Sequence, residues 1–190
     1  MNGRALLGAV ALGGALMACG GSSGPTEPSP APTPTPPSPP VGAFDYNGIN
    51  HVSWWHDSYG QPEARDARTA LAATGSNWAG LLTSWSLLLR DSRGLAPDRC
   101  GSRTDELLRR AVQELHAQGL KVMLKPHVDV LDGTWRGQIA PSDPGGWFAS
   151  YAAMMDHHAA LARDLEVEML SVGTELVTMT DARHRASWVQ

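Results

Sequence analysis

Cysteine is scarce in this chain, two in 190 residues, which excludes a disulfide framework. Charge is scarce at its front: Arg4 and Glu27 are the only charged residues before Asp45. No basic block occurs anywhere, and the net charge is −4, so nucleic acid is excluded as a partner. No apolar run after residue 20 approaches the roughly 20 residues of a membrane-spanning helix. Phenylalanine is nearly missing too, two against seven tryptophans, a skew that suits a carbohydrate cleft better than an ordinary aromatic core.

What is present falls into three regions, 1–19, 20–43 and 44–190. The first opens with Arg4, runs through the apolar stretch Ala5 to Leu16 and closes on Leu16-Met17-Ala18-Cys19, the layout of a secretory signal. Its end resembles the bacterial lipobox, which implies that Cys19 is lipidated and becomes the mature N-terminus. The lipid is then the chain's only expected membrane contact. Gly20 rather than aspartate follows, so export to the outer membrane or cell surface is expected. Nine of the 14 prolines lie between Pro25 and Pro40, and such a Gly/Ser- and then Pro/Thr/Ser-rich segment cannot bury enough apolar surface to order itself. At roughly 3.1 Å per residue it forms a spacer of about 60 Å.

From residue 44 short apolar runs alternate with segments of helical periodicity, the signature of βα units. The strand candidates are Tyr46 to Trp54, Trp78 to Trp85, Lys121 to Val130 and Glu168 to Leu176. Helices are expected from Pro62 to Thr74, from near Ser102 or Thr104 to Gly119, from Pro144 with Asp143 as cap, and from near Thr180 or Asp181. Four such units imply an α/β fold of parallel strands with helices outside. An eight-unit barrel takes about 250 residues, so the chain is expected to supply the first four units of a (β/α)8 TIM barrel, as a fragment of it.

The chemistry concentrates at strand ends. In Lys121 to Asp129 alternate side chains share a face, so Lys125, His127 and Asp129 line one side while Val122, Leu124, Pro126 and Val128 line the other. A strand buried on both faces spends such positions on aliphatic residues, because a buried unpaired charge costs several kcal/mol. A polar pocket at the strand end accounts for them better. The same alternation in Met169 to Leu176 puts Ser171, Gly173 and Glu175 on one face, with the carboxylate at the strand's end. The loop Asp132-Gly133-Thr134-Trp135-Arg136-Gly137 adds an indole and a guanidinium suited to stacking on a sugar and binding its hydroxyls. Trp54, Trp55 and Trp85 are expected to extend that aromatic surface, whereas Trp78 and Trp147 fit the core.

Leu124-Lys125-Pro126-His127-Val128-Asp129, Gly133-Thr134-Trp135-Arg136-Gly137, Trp147-Phe148 with Tyr151, and Val172-Gly173-Thr174-Glu175-Leu176 resemble glycoside hydrolase family 113. Gly48-Ile49-Asn50 with Trp54, and Gly75-Ser76-Asn77-Trp78, fit the same resemblance. It implies a TIM barrel of the large retaining clan and endo-hydrolysis of β-1,4-mannan without a cofactor or metal ion. Carry-over assigns Glu175, at the end of the fourth strand, as general acid and then general base. The nucleophile of such enzymes ends the seventh strand, beyond these units, so the 190 residues alone are not expected to turn over a glycoside. Substrate contacts fall to His127, Asp129, Trp135, Arg136, Trp54, Trp85 and Asn50, and charge-tuning of the pocket to Lys125. Thr174 departs from the asparagine that many members of the wider clan carry before the glutamate.

Two other readings fit parts of the pattern. A non-catalytic, surface-tethered carbohydrate-binding lipoprotein needs the aromatic rim with Trp135 and Arg136 but no second carboxylate. A metal-dependent barrel hydrolase would use His127 and Asp129 as ligands, yet the first strand lacks His-x-His. His157 and His158, consecutive on a helix, point in different directions and read as structural.

Overall fold

The computed structural model describes residues 44–54, 58–97 and 101–189, apart from the side chains of 101–103. The expected signal, Cys19, the linker, Trp55 and Cys100 lie outside those residues.

Four parallel strands form the sheet in the order β1-β2-β4-β5: β1 (Gly48–His51), β2 (Trp78–Leu87), β4 (Lys121–Val130) and β5 (Met169–Leu170). A short β3 (Ala96–Pro97) runs antiparallel against the end of β2. Each parallel pair is joined by a crossover helix: α1 (Pro62–Ala73), α2 (Gly101–Ala117) and α3 (Pro144–Asp164), with a final single turn α4 (Arg185–Trp188). The expected βα succession is what is seen. β3 has no sequence signal of its own, because a two-residue strand carries no periodicity.

The helices begin and end where local chemistry dictates. Pro62 opens α1 and Pro144 opens α3, positions where the missing N–H costs nothing. Asp143 caps α3 by accepting from the Gly146 N–H at 3.0 Å. Gly75 and Gly119, just past α1 and α2, take φ of +81° and +79°, the left-handed turn that ends a helix most readily in glycine.

Apolar stripes on the helices close over one face of the sheet. Leu108, Ala111, Val112 and Leu115 of α2 pack with Ala79 and Leu81 of β2 and Val122 and Leu124 of β4. Nearer the strand ends, Trp147, Tyr151 and Met154 of α3 pack with Leu87, Val128 and Val130. Both Trp78 and Trp147 are buried. Within this layer Arg68 of α1 is only 1% exposed. Its Nε and Nη2 donate to Glu114 Oε2 at 2.8 and 2.5 Å, and Nη1 lies 3.3 Å from His51 Nε2.

The fourth strand is shorter than its alternation predicts. β5 ends at Leu170, with one further ladder bond from Ser171 N–H to the Leu124 carbonyl at 2.9 Å. Val172, expected to face the helices, is 67% exposed. The Tyr151 hydroxyl donates to the Val172 carbonyl at 2.7 Å, so this carbonyl bonds to a side chain instead of extending a ladder.

Candidate active site

On β4 the alternation holds as far as the rim. Val122, Leu124, Pro126, Val128 and Val130 are buried, the aliphatic ones in the two helix-facing clusters, while Lys125, His127 and Asp129 occupy the opposite face. The ring of Trp54 approaches His127 edge-on at 5.9 Å between centroids, which brings the exit of β1 over this polar face. His127 is 4% exposed, and neither ring nitrogen has a hydrogen-bond partner among the described residues. Burial first, and then the Arg136 charge, lower its pKa to about 4; Asp129 pulls the other way and Lys125 adds to the lowering. At neutral pH it is an uncharged imidazole offering one donor and one acceptor.

The loop after β4 delivers Trp135 and Arg136 to the same rim. Gly133, at φ +83°, makes the turn. Gly137 then lets the indole lie flat, since a Cβ on it would fall 2.5 to 2.6 Å from ring atoms of Trp135. Buried Ile139 anchors the loop in the core. Thr178 ties it to the segment beyond Glu175, its N–H donating to the Gly137 carbonyl at 3.3 Å and its hydroxyl to the Ile139 carbonyl.

Glu175 sits in a turn past the end of β5 with φ +54°, a left-handed conformation that is costly for a side chain bearing a Cβ. Its Oε2 accepts from Trp135 Nε1 at 3.1 Å and from Arg136 Nη1 at 3.0 Å. The same guanidinium donates through Nη2 to Asp129 Oδ1 and through Nε to the Val128 carbonyl at 2.8 Å. The Trp135 hydrogen bond foremost, and the Arg136 charge and hydrogen bond after it, hold the Glu175 carboxyl below its ordinary range.

Thus Glu175, Asp129, Arg136, Trp135, His127 and Trp54 meet at one strand-end rim. Three placements differ from expectation. Trp85 turns the other way: its ring lies 5.7 and 6.1 Å from His157 and His158 of α3, because odd-numbered β2 residues face the helices at this level. Asn50 is exposed further from the strand ends, its Oδ1 in the space above Gly80, in a cavity of about 320 Å3 that it shares with Tyr46, Trp78 and Met123 and not with the rim. Arg136 is spoken for by two carboxylates and a carbonyl rather than left to a sugar. Lys125 acts on His127, while Glu175 is tuned by Trp135 and Arg136. His157 and His158 are accounted for by Asp105, 3.1 Å from His157 Nε2, and by the Met154 carbonyl, 2.8 Å from His158 Nδ1.

Sequence reasoning missed the left-handed backbone at Glu175 and the Thr178 stitch. Only Gly133 and Gly137, flanking the Trp-Arg pair, carried a signal that this loop folds tightly. Among the described residues no group of three or more His, Asp, Glu or Cys is placed to hold a metal ion, and no helix is long and apolar enough to cross a membrane.

Parallel strands wrapped by helices on one face, with polar side chains gathered at the strands' C-terminal ends, define part of a (β/α) barrel. Residues 51–190 match the model of glycoside hydrolase family 113, and the chain belongs to that family. Among solved structures it resembles the GH113 β-mannanase AaManA from Alicyclobacillus acidocaldarius in complex with ManMIm, at 31% identity and TM-score 0.70 over 77% of this chain and 49% of that one. Two structures of a GH113 β-1,4-mannanase, one a complex, align at 28% identity with TM-scores of 0.63 and 0.62. They are matched over 76% and 75% of this chain and 50% and 49% of theirs. The chain spans about half the length of these mannanases. No curated protein matches it.

Proposed function

We propose that these residues form the acid/base half of a retaining hydrolase of β-1,4-mannan, with Glu175 as proton donor. The observation that carries this reading is the carboxylate of Glu175 at the strand-end rim, one oxygen fixed by Trp135 and Arg136 on a left-handed backbone. Backbone held in such a state persists where its surroundings over-determine it, as functional sites do.

A retaining mechanism needs a second carboxyl group about 5 to 5.5 Å away. Glu168 cannot serve: it accepts from the Val122 N–H at 2.8 Å at the opposite end of the strands. Asp129 is held on Arg136. The family resemblance implies a nucleophile at the end of the seventh strand, in the half of the barrel that the β-mannanase structures have beyond the aligned region. The nucleophile's negative charge offsets the downward pull of Trp135 and Arg136, so that Glu175 carries a proton when substrate arrives. Glu175 gives that proton to the glycosidic oxygen as the nucleophile attacks the anomeric carbon. It then takes one from the water that releases the glycosyl enzyme.

Around it, exposed Trp54 and Trp135 offer apolar faces to pyranose rings, while His127, both ring nitrogens buried, backs the rim from beneath. On the same proposal Cys19 bears the lipid, and the polysaccharide is met at the outer membrane or cell surface. In the whole protein Glu175→Gln is expected to lower kcat on β-mannan by about 10²- to 10⁴-fold while mannan is still bound. Hydrolysis near the wild-type rate would refute the assignment. Binding of mannan with no hydrolysis by the unmutated protein would favour the non-catalytic lipoprotein instead.

A further inference from the structure

Arg136 is the least exposed member of the rim's charged trio, its side chain 14% accessible against 34% for Asp129 and 52% for Glu175. A guanidinium so placed cannot shed its proton and needs a counter-charge at all times. Glu175, on the reading above, loses its charge once in every turnover. While it carries the proton, the cation beside it would be left with half its compensation were Asp129 not on the other arm of the same fork.

We propose that Arg136 is a positioning residue for Glu175 and that Asp129 is its standing counter-ion. The guanidinium and the Trp135 indole hold Oε2 still, leaving Oε1 to carry the proton, and Asp129 keeps Arg136 neutralised through the half-cycle in which Glu175 is uncharged. The inference rests on Glu175 being the acid/base. Among the described residues Oε1 has no hydrogen-bond partner, whereas Oε2 has two.

The framework for such a holder is in place. Arg136 Nε is bonded to the Val128 carbonyl, Ile139 is buried beneath the loop, and Thr178 links the loop to the chain just beyond Glu175. The other titratable or charged groups that act on this locus come from β4: His127, which bears on Glu175, and Lys125, which acts with Arg136 on His127. Neither is hydrogen-bonded to Glu175.

Two near-isosteric variants are expected to move Glu175 in opposite directions. Trp135→Phe removes one donor from Oε2 and raises the carboxyl's titration midpoint. Asp129→Asn removes a neighbouring anion, leaves the Arg136 charge to Glu175 alone, and lowers it. Carbon NMR titration of the Glu175 carboxyl in the intact chain reads both shifts without needing turnover. In the active protein the alkaline limb of kcat/KM, which reports the free enzyme's acid, moves the same way in each variant. Arg136→Lys, with one point charge in place of the fork, lowers kcat by about tenfold or more with KM little changed. An Asp129→Asn midpoint that rises or stays put overturns the proposal. If both midpoints move as stated while Glu175→Gln still cleaves mannan, the ion-pair arrangement stands and the acid/base assignment fails.

Discussion

Gly137 shows how much a single absent methyl group can decide. The Trp135 indole rests where a Cβ on Gly137 would sit, 2.5 Å from the nearest ring atom, and from that position its N–H reaches Glu175. Gly137→Ala is expected to lift the ring, raise the Glu175 titration midpoint as Trp135→Phe does, and change the Trp135 emission, which fluorescence of the folded variant reads directly. Strand alternation made His127 and Asp129 legible as one face, because β4 is ten residues long; Glu175 reaches the same rim from a turn beyond the two-residue β5, where alternation no longer applies. The sequence did not make Arg136 legible. A guanidinium beside a tryptophan suits a sugar and a pair of carboxylates equally well, and only the fold shows that the carboxylates have claimed it. Trp85 was misplaced for a related reason: standing at a strand exit does not say which face a side chain takes.

The starts of α1 and α3 and the ends of α1 and α2 were readable to within about two residues, since proline, aspartate and glycine impose local geometry without help from the rest of the molecule; α4, expected from Thr180 or Asp181, begins only at Arg185. The end of α3 is instructive. α3 closes through Glu166, whose φ is +56°, with its N–H bonded to the Arg163 carbonyl at 3.2 Å and the following Val167 N–H to Ala162 at 2.9 Å. Glycine holds the corresponding place after α1 and α2. Glu166→Gly is therefore expected to stabilise the fold by about 0.5–1 kcal/mol, and Asp143→Ala, which removes the cap at the other end of α3, to destabilise it by about 1 kcal/mol; urea denaturation measures both. The early end of β5 was not readable. Alternation continues through Glu175 in the sequence, but a strand also needs a partner. Among the described residues β5 pairs only with β4, and the Val172 carbonyl accepts from the Tyr151 hydroxyl.

At the scale of the molecule, the interior carries ionisable groups that composition could not locate. Arg68 and Glu114 meet across helices α1 and α2, and Glu114→Gln, which leaves a buried cation half-paired, is expected to cost about 3 kcal/mol, again by urea denaturation. His127 and His158 are both held near pKa 4, chiefly by burial, from an ordinary 6.5, and His51 is lowered by burial and by Arg68. The unfolded chain then binds more protons than the folded one between those values, so stability rises with pH across that window. The thermal midpoint should fall steadily as the solution is taken from pH 6.5 to pH 4, and a His158→Gln variant should show a shallower fall.

The register of the sheet has a consequence for how such a chain comes off the ribosome. Gly48 pairs with Trp78, Trp78 with Lys121, and Met123 with Met169. Each strand therefore lacks its next partner until an entire helix and the following strand have been translated. Non-local pairing of this kind is slow and leaves apolar surface uncovered meanwhile. The turn bearing Glu175 follows every strand of the described sheet in the chain and so is translated after all of them.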